Sequence, residues 1–248
     1  MIHLLAVLCA LSPAAPAHRV LIVADEMPAM RVLAERLEAL EAVDSQIVAQ
    51  SEMPADLRAY SAVIVYIHGN LDDQVESRLL EYADDGGKLI LLHHSISSGK
   101  RRNRFWLPRI GVELRQGDAA SGGYKWIEGV RLGLVNLAPR HFITRNKVTY
   151  AERLEFAGDG HRRAVRPGFT LGHSEVYLNH HLSGQRTILL GLVYNDPHTG
   201  VTWMQGTAGW VMPLGKGRVV YLMPGHSPEE FQHPAYGRLI ANAVIWKP

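Results

Sequence analysis

Gly86-Gly87-Lys88-Leu89-Ile90-Leu91-Leu92-His93-His94-Ser95 combines a helix stop, a continuous apolar run, two imidazoles and a hydroxyl. A continuous apolar run that follows glycines predicts a strand buried on both faces, as in parallel sheets. In open parallel sheets, ligands bind just beyond the carboxyl ends of the strands. Because His93, His94 and Ser95 stand at such an end, we expect the chemistry of the protein there.

The residues before this strand alternate between strand and helix patterns. Amphipathic helices are predicted over residues 28–42 and after Asp72, a good N-cap residue. Further strands are predicted over residues 18–24, 46–49 and 62–67. The alternation predicts an α/β fold with a doubly wound, mostly parallel sheet and helices on both faces.

The sequence after Ser95 is less regular. Residues 126–157 predict irregular strands and turns, and a closing helix is predicted over residues 234–246. No shift in composition marks a linker, so residues 18–248 are expected to form a single domain. The remaining strands are predicted over residues 187–193, 201–204 and 218–222.

The N-terminus resembles a signal peptide. Residues 1–17 contain no Lys, Arg, Asp or Glu, and Ala15-Pro16-Ala17 supplies a small-x-small cleavage pattern. The apolar stretch is too short for a bilayer span, which needs about 20 apolar residues. We expect cleavage after Ala17 and a periplasmic or secreted mature protein without a membrane segment. The alternatives are an N-terminal anchor or a misassigned start codon.

Composition limits the partners and the chemistry. A formal net charge of +2 gives no electrostatic argument for nucleic acid, and the basic run at residues 100–104 is expected to be a solvated loop or helix start, with anion or phosphate binding as the alternative. Cys9 is the only cysteine of the sequence and would leave with the signal peptide. The mature chain would then have neither a disulfide nor a thiol nucleophile. We expect a small-molecule partner, and a homo-oligomer stays open.

The chain has 13 histidines, and their positions suggest a site. Residues two apart on a strand face the same side, so His173, Glu175 and Tyr177 are expected to share a face. Imidazole and carboxylate suit zinc or a similar divalent ion, and they suit acid–base chemistry near neutral pH equally well. Each histidine alone is also consistent with a hydrogen-bonded core residue. Among the histidines that follow or lie within predicted strands are His93, His94, His173 and His226.

Several motifs occur in the order seen in ThuA-like (trehalose-utilisation) proteins, which the chain resembles over most of residues 18–248. They are Gly86-Gly87-x5-His93-His94, Ser174-Glu175-Val176-Tyr177, Gly217-Arg218-Val219-Val220-Tyr221-x3-Gly225-His226 and Phe231-x2-Pro234-Ala235-Tyr236-x-Arg238-Leu239-x5-Val244-Ile245-Trp246. The resemblance implies the flavodoxin-like, class I glutamine-amidotransferase-like fold. It also implies a role in the metabolism of trehalose, related disaccharides and their 3-keto forms.

The resemblance implies functional positions as well. The recurrent polar positions of the family map to His93, Glu175 and His226, and Ser174 stands where many relatives have Asp. In true amidotransferases a nucleophilic cysteine occupies the sharp turn after the strand that here ends at Leu92. Because the mature chain would have no cysteine, amidotransferase chemistry is not available to it.

The leading interpretation is an exported enzyme that acts on a keto-sugar or a trehalose-type disaccharide by metal- or His/Glu-assisted acid–base chemistry. The expected cofactor is a divalent metal such as zinc, for which His173 is an alternate ligand. The candidate catalytic residues, which are also the candidate metal ligands, are His93, Glu175 and His226. The candidate substrate-binding residues are His94, Lys125 and Tyr177.

Two other functions remain open at this point. Ser95 has the chemistry of a nucleophile with His226 as base and Glu175 as orienting acid, although it lacks the small flanking residues of a nucleophile elbow. The second alternative is a non-catalytic carbohydrate-binding or assembly module, because fold alone does not determine function. The sequence therefore leaves open whether the protein is an enzyme.

Overall fold

The computed structural model describes residues 18–247, and the expected signal peptide lies outside them. The strands are β1 (Arg19–Ala24), β2 (Asp44–Val48), β3 (Ala62–Tyr66), β4 (Lys88–Leu92), β5 (Val112–Glu113), β6 (Lys125–Asn136), β7 (Glu152–Phe156), β8 (Ala164–Leu178), β9 (His181–Leu182), β10 (Thr187–Asn195), β11 (Thr202–Leu214) and β12 (Gly217–Leu222). The α-helices are α1 (Met27–Glu41), α2 (Asp73–Asp84), α3 (Trp106–Arg109), α4 (Phe142–Arg145), α5 (Pro228–Gln232) and α6 (Pro234–Ile245). None of the helices within residues 18–247 has the length and hydropathy that crossing a bilayer requires.

The main sheet has ten strands in the order β2-β1-β3-β4-β12-β11-β10-β6-β8-β7. Neighbours from β2 to β12 are parallel, and neighbours from β12 to β7 are antiparallel. The α/β fold is therefore confirmed, but the sheet is evenly mixed and not mostly parallel. The reason is connection length, since the short links between β10, β11 and β12 allow only antiparallel pairing.

Helices cover both faces of the parallel half. The crossover from β1 through α1 leads to β2 at one edge, and the crossover from β3 through α2 leads towards β4. Right-handed crossovers in opposite directions place α1 and α2 on opposite faces. Accordingly, α1 packs with α5 and α6, whereas α2 packs over β4 and β12. Both faces of β3 and β4 are buried, as their continuous apolar runs predict.

Residues 126–157, where irregular strands and turns were expected, contain most of β6 together with α4 and β7, and β6 pairs with β8 in a long ribbon. Its register shifts by one residue at Gly172–His173 on β8, and again at Glu128–Gly129 on β6. Such bulges bend and twist a strand pair. Beyond them the ribbon lies over the ends of β4 and β12, where the Tyr177 ring is 5.1 Å from the ring of His93. The bulges interrupt the polar–apolar alternation, which is why the sequence pattern did not show one long strand.

Candidate active site at the carboxyl ends of the parallel strands

Polar side chains gather where the parallel strands end. Glu26 follows β1, His68 follows β3, His93 and His94 follow β4, and His226 follows β12. The crossovers diverge between β1 and β3, and ligands of open α/β sheets bind in the crevice at such a switch point. The site therefore lies where the strand pattern predicted it.

His93 occupies the sharp turn directly after β4. Its φ of 52° lies in the left-handed region, which non-glycine residues seldom adopt. Two hydrogen bonds hold it there: Nδ1 donates to the Met223 carbonyl at 2.9 Å, and the His93 carbonyl accepts from the Tyr221 hydroxyl at 3.1 Å. The residue at this turn is thus His93 and not Ser95.

Glu175 is the centre of a group of four residues, His93, Glu175, Tyr177 and His226, called here the Glu175 cluster. The Oε2 atom of Glu175 lies 2.9 Å from Nε2 of His93 and 3.4 Å from Nδ1 of His226. It also accepts a hydrogen bond of 3.0 Å from the Tyr177 hydroxyl. Two imidazole nitrogens and one hydroxyl group therefore converge on one carboxylate oxygen.

The hydrogen bonds define the charges in the Glu175 cluster. Nδ1 of His93 donates to the Met223 carbonyl, and Nε2 lies 2.9 Å from Oε2 of Glu175 and 3.2 Å from the Tyr177 hydroxyl. Burial raises the pKa of the Glu175 carboxyl, but hydrogen bonds from His93 and Tyr177 and the charges of His93 and His226 outweigh it and lower the pKa. Burial and the Glu175 charge raise the pKa of Tyr177. Glu175 is therefore an anion and Tyr177 a neutral donor at neutral pH.

Exposure separates the roles of these side chains. The side chain of His93 is 1% exposed and that of Glu175 8%, whereas that of His226 is 33% exposed. With Nδ1 of His226 turned towards Glu175, its Nε2 atom is left to face a ligand. His226 is thus the member of the cluster best placed to contact a substrate, and His93 acts through Glu175.

The turn that carries His226 is held by a second buried carboxylate. The backbone N–H groups of Gly225 and His226 donate to Oε2 of Glu230 at 2.6 and 3.3 Å. Gly225 has a φ of +129°, and a Cβ there would lie 3.0 Å from Cζ of Phe231 and 3.2 Å from Cβ of His93. Only glycine combines this backbone conformation with so close an approach to His93.

A second group of titratable side chains lies beside the first. Glu26, His68 and His94, called here the Glu26 cluster, have potential ligand atoms that all lie within 4.8 Å of one another. His94 lowers the pKa of Glu26 to about 2, together with His68 and against the effect of burial. Burial lowers the pKa of His94 to about 4, so its ring is neutral at pH 7. Sequence analysis missed Glu26 and His68, although both directly follow predicted strands.

A buried lysine joins the two turns that carry the Glu26 cluster. Nζ of Lys100 donates to the carbonyls of Ile67 and Gly69, each at 2.6 Å, and to that of His94 at 3.3 Å. Burial lowers the pKa of Lys100 to about 7. The expectation of a solvated basic loop is therefore wrong for Lys100, because its ammonium group satisfies backbone carbonyls that the sheet leaves free.

Three predicted site residues lie elsewhere. His173 is exposed and outside both clusters, because the bulge at Gly172–His173 ends the alternation that would align it with Glu175. Lys125 is exposed and pairs with Leu178, one residue out of phase with Tyr177, so it faces the other side of the ribbon. The Ser95 hydroxyl is buried and donates to the Val65 carbonyl at 2.6 Å. Ser95 therefore does not form a triad with Glu175 and His226.

Solved structures share the fold. A ThuA-like protein from Bacteroides uniformis ATCC 8492 aligns with a TM-score of 0.62 and 17% identity over 94% of this chain and 92% of its own. Cytoplasmic protein STM1381 from Salmonella typhimurium LT2 aligns with a TM-score of 0.58 and 13% identity over 91% and 98%. The cold-adapted beta-galactosidase from Rahnella sp. R3 aligns with a TM-score of 0.53 and 15% identity over 92% of this chain and 31% of its own.

Comparison by sequence identifies the family. None of the curated proteins compared with this chain matches it. The sequence profile of the family ThuA, described as trehalose utilisation, matches residues 19–247. This match covers almost all of the residues that form the sheet and both clusters. The chain therefore belongs to the ThuA family, and the flavodoxin-like, class I glutamine-amidotransferase-like fold that the motifs implied is confirmed.

Proposed function

We propose that the protein is an enzyme of carbohydrate metabolism that moves a proton at the carbon next to the carbonyl of a keto-sugar, such as the 3-keto form of a trehalose-type disaccharide, at the Glu175 cluster. The observation that carries this proposal is the pairing of a partly exposed imidazole, His226, with a buried carboxylate, Glu175, at 3.4 Å. A histidine oriented by a carboxylate is a recurrent general base. Membership of the ThuA family supports a sugar as the substrate.

Each residue of the cluster has a distinct part in the proposed reaction. Glu175 orients the Nδ1–H group of His226 as its acceptor, which leaves the Nε2 lone pair free to take a proton from the carbon next to a carbonyl. His93 and Tyr177 keep Glu175 ionised by donating to it. The imidazolium that forms on His226 then returns the proton to the substrate. His93 is a positioning residue in this scheme, because it is buried away from the substrate.

Zinc at His93, Glu175 and His226 stays part of the proposal. Their ligand atoms lie within 4.8 Å of one another, and two imidazoles with one carboxylate form a donor set that zinc accepts. The 2.9 Å between His93 Nε2 and Glu175 Oε2 is a hydrogen-bond distance, so these atoms would have to separate around an ion. A bound ion would supply Lewis-acid stabilisation of an enediolate oxygen.

An exposed tryptophan next to the cluster supports a sugar ligand. Trp126 is the cross-strand partner of Tyr177, and directly opposite residues of a strand pair share a face. Its side chain is among the most exposed large hydrophobic residues of the described chain. An indole ring beside polar groups suits stacking on the apolar face of a sugar. This observation also favours the second candidate function, a non-catalytic carbohydrate-binding module.

Hydrogen exchange on the sugar distinguishes the two candidates. The mature chain, residues 18–248, is incubated in D₂O with 3-keto-disaccharides, and proton NMR follows the positions next to the carbonyl. We expect enzyme-dependent deuterium uptake that His226→Ala and Glu175→Gln abolish. His181→Ala is the matched control, since His181 is an exposed histidine 4.0 Å from Glu113 on the small β5–β9 sheet.

Each outcome of this experiment supports or contradicts at least one of the two candidate functions. Saturable sugar binding without exchange or product supports the binding module and contradicts the enzyme. Neither binding nor exchange with any keto-disaccharide contradicts both candidates. Exchange that persists in His226→Ala contradicts the role given to that imidazole.

Export from the cytoplasm is a further part of the proposal. It is supported by the uncharged apolar stretch and the Ala15-Pro16-Ala17 pattern. N-terminal sequencing of the full-length chain produced in a bacterial host is expected to begin at His18 in the exported fraction. An intact Met1 in the cytoplasmic fraction would contradict it.

A further inference from the structure

We infer that Glu26, His68 and His94 form a second site, which binds a divalent cation of the zinc type and is distinct from the Glu175 cluster. The site lies at the switch point of the sheet, because Glu26 follows β1 and His68 follows β3. No residue of the proposed proton transfer belongs to it. The inference therefore stands independently of the proposed function.

The spacing of the three side chains is compatible with an ion as well as with a long hydrogen bond between His68 and Glu26. Oε1 of Glu26 lies 3.5 Å from Nδ1 of His68 and 3.8 Å from Nε2 of His94. Tetrahedral ligands about 2.1 Å from a zinc ion lie about 3.4 Å from one another. The Glu26 cluster thus has a separation that leaves room for an ion between its ligand atoms.

His94 provides an independent reason for a ligand. Its side chain is 4% exposed, and neither ring nitrogen has a hydrogen-bond partner among the described residues. A buried polar atom without a partner costs free energy that a bound group would recover. The ring is held between Tyr66 at 4.5 Å and His68 at 4.7 Å, measured between ring centroids. Its Nε2 atom lies 3.8 Å from Oε1 of Glu26.

Hydrogen bonds hold the backbone turns around the site. Asp25 accepts hydrogen bonds from the backbone N–H groups of His68 at 2.7 Å and Gly69 at 3.4 Å. Lys100 links the same turn to the carbonyl of His94. These contacts fix the turns that carry His68 and His94 relative to each other, and a fixed backbone reduces the ordering that ion binding requires.

The site has an open side. The side chain of His68 is 71% exposed and that of Glu26 45%, so the ion would be bound by three protein ligands at the surface of the crevice. Zinc sites with three protein ligands keep a fourth position for water or a substrate oxygen. The rings of His93 and His94 are 5.0 Å apart, so the site lies beside the Glu175 cluster. The oxygen ligand that fits is a hydroxyl or carbonyl group of a small polar substrate.

Metal binding by the untagged mature chain tests the inference, with zinc and cobalt(II) alone as probes. Calorimetry gives affinity and stoichiometry, and the visible absorption of cobalt(II) reports tetrahedral coordination. We expect His68→Ala and Glu26→Gln to weaken one binding event at least 10-fold. Both residues are partly exposed, so these variants are expected to fold. His181→Ala is the matched control, and His226→Ala reports on the Glu175 cluster.

The results that would overturn the inference are specific. Binding of the same affinity and stoichiometry in His68→Ala and the wild type excludes the site. Loss of ion binding only in His226→Ala would show that the ion is bound at the Glu175 cluster and not at the Glu26 cluster. If the wild type binds no ion, or binds only an ion that His181→Ala removes, the inference is also contradicted. Normal ion binding in a protein that shows no proton exchange would leave this site intact and reject the proposed function alone.

Discussion

Nε2 of His93 lies 2.9 Å from Oε2 of Glu175, and this contact joins the parallel and antiparallel halves of the sheet. His93 follows β4, whereas Glu175 lies on β8, which is separated from β4 in the sheet by β12, β11, β10 and β6. The two bulges of the β6–β8 ribbon bring these residues together, because they bend the ribbon over the ends of the parallel strands. The Glu175 cluster therefore depends on the geometry of the ribbon as much as on its side chains.

Removing the Tyr177 hydroxyl tests how Glu175 is held. Tyr177→Phe is expected to lower kcat about 10-fold with little change in KM, because Glu175 loses the donor at 3.0 Å and His226 loses an oriented partner. Tyr124→Phe is the matched control, since the Tyr124 ring stacks on Tyr177 and its buried hydroxyl has no partner among the described residues. Equal kinetics for the two variants would show that the Tyr177 hydroxyl does not act on Glu175.

Truncating Trp126 tests the sugar-binding surface. Trp126→Ala is expected to raise KM or the sugar dissociation constant about 10-fold and to leave kcat unchanged, since stacking stabilises the bound ground state and the transition state alike. Phe105→Ala is the control, because the side chains of Phe105 and Trp126 are both 48% exposed. Steady-state kinetics and sugar titrations provide the measurement. A similar small effect of both substitutions would remove Trp126 from the binding surface.

Gly225→Ala tests the close approach beneath His226. A methyl group there meets Phe231 and the Cβ of His93, and the φ of +129° is unfavourable for alanine. We expect the free energy of unfolding to fall by about 1–3 kcal/mol and the activity to drop with it. Gly200→Ala separates the two causes, because Gly200 has a φ of +71° but nothing within 4 Å of an added Cβ. If Gly225→Ala loses no more than Gly200→Ala, the contact with His93 is unimportant.

Buried neutral histidines predict loss of stability in mild acid. Burial lowers the pKa of His180 to about 3 and that of His94 to about 4, from a model-compound value of 6.5. Between pH 6.5 and these values the unfolded chain binds more protons than the native one, so stability falls as the pH falls. Each histidine contributes up to about 1.4 kcal/mol per pH unit in that window.

His180→Phe isolates one of these contributions. The ring of His180 packs among Tyr124, Tyr177 and Tyr221, and its two nitrogens have no partner among the described residues, so phenylalanine suits the same space. Urea unfolding at pH 7, 6, 5 and 4 is expected to show a shallower loss of stability than in the wild type. His181→Phe, at an exposed neighbouring position, should keep the wild-type slope. An unchanged slope in His180→Phe would show that His180 already carries a proton in the native state.

Periodicity and motif order were sufficient to predict the parallel half of the sheet. The apolar runs before His68 and before His93 form β3 and β4, and the helices after Pro28 and Asp72 form where their apolar spacing predicts them. These features are local, because the pattern of a buried strand or an amphipathic helix depends only on neighbouring residues of the sequence. The positions His93, Glu175 and His226 followed from motif order, and the structure brings all three together.

The sequence by itself determined the α/β class, the family and the strand ends at which the polar residues gather. The tertiary structure alone decided which of these residues meet. The bulge on β8 places His173 outside the site. Burial makes Lys100 a hydrogen-bond donor to backbone carbonyls of the neighbouring turns. The divergence of the crossovers at β1 and β3 brings Glu26, His68 and His94 together. The physical reason is that strand and helix patterns repeat over a few residues and depend on neighbours in the sequence. A site is formed by contacts between distant segments, and a short sequence pattern does not determine the register and bending of those segments.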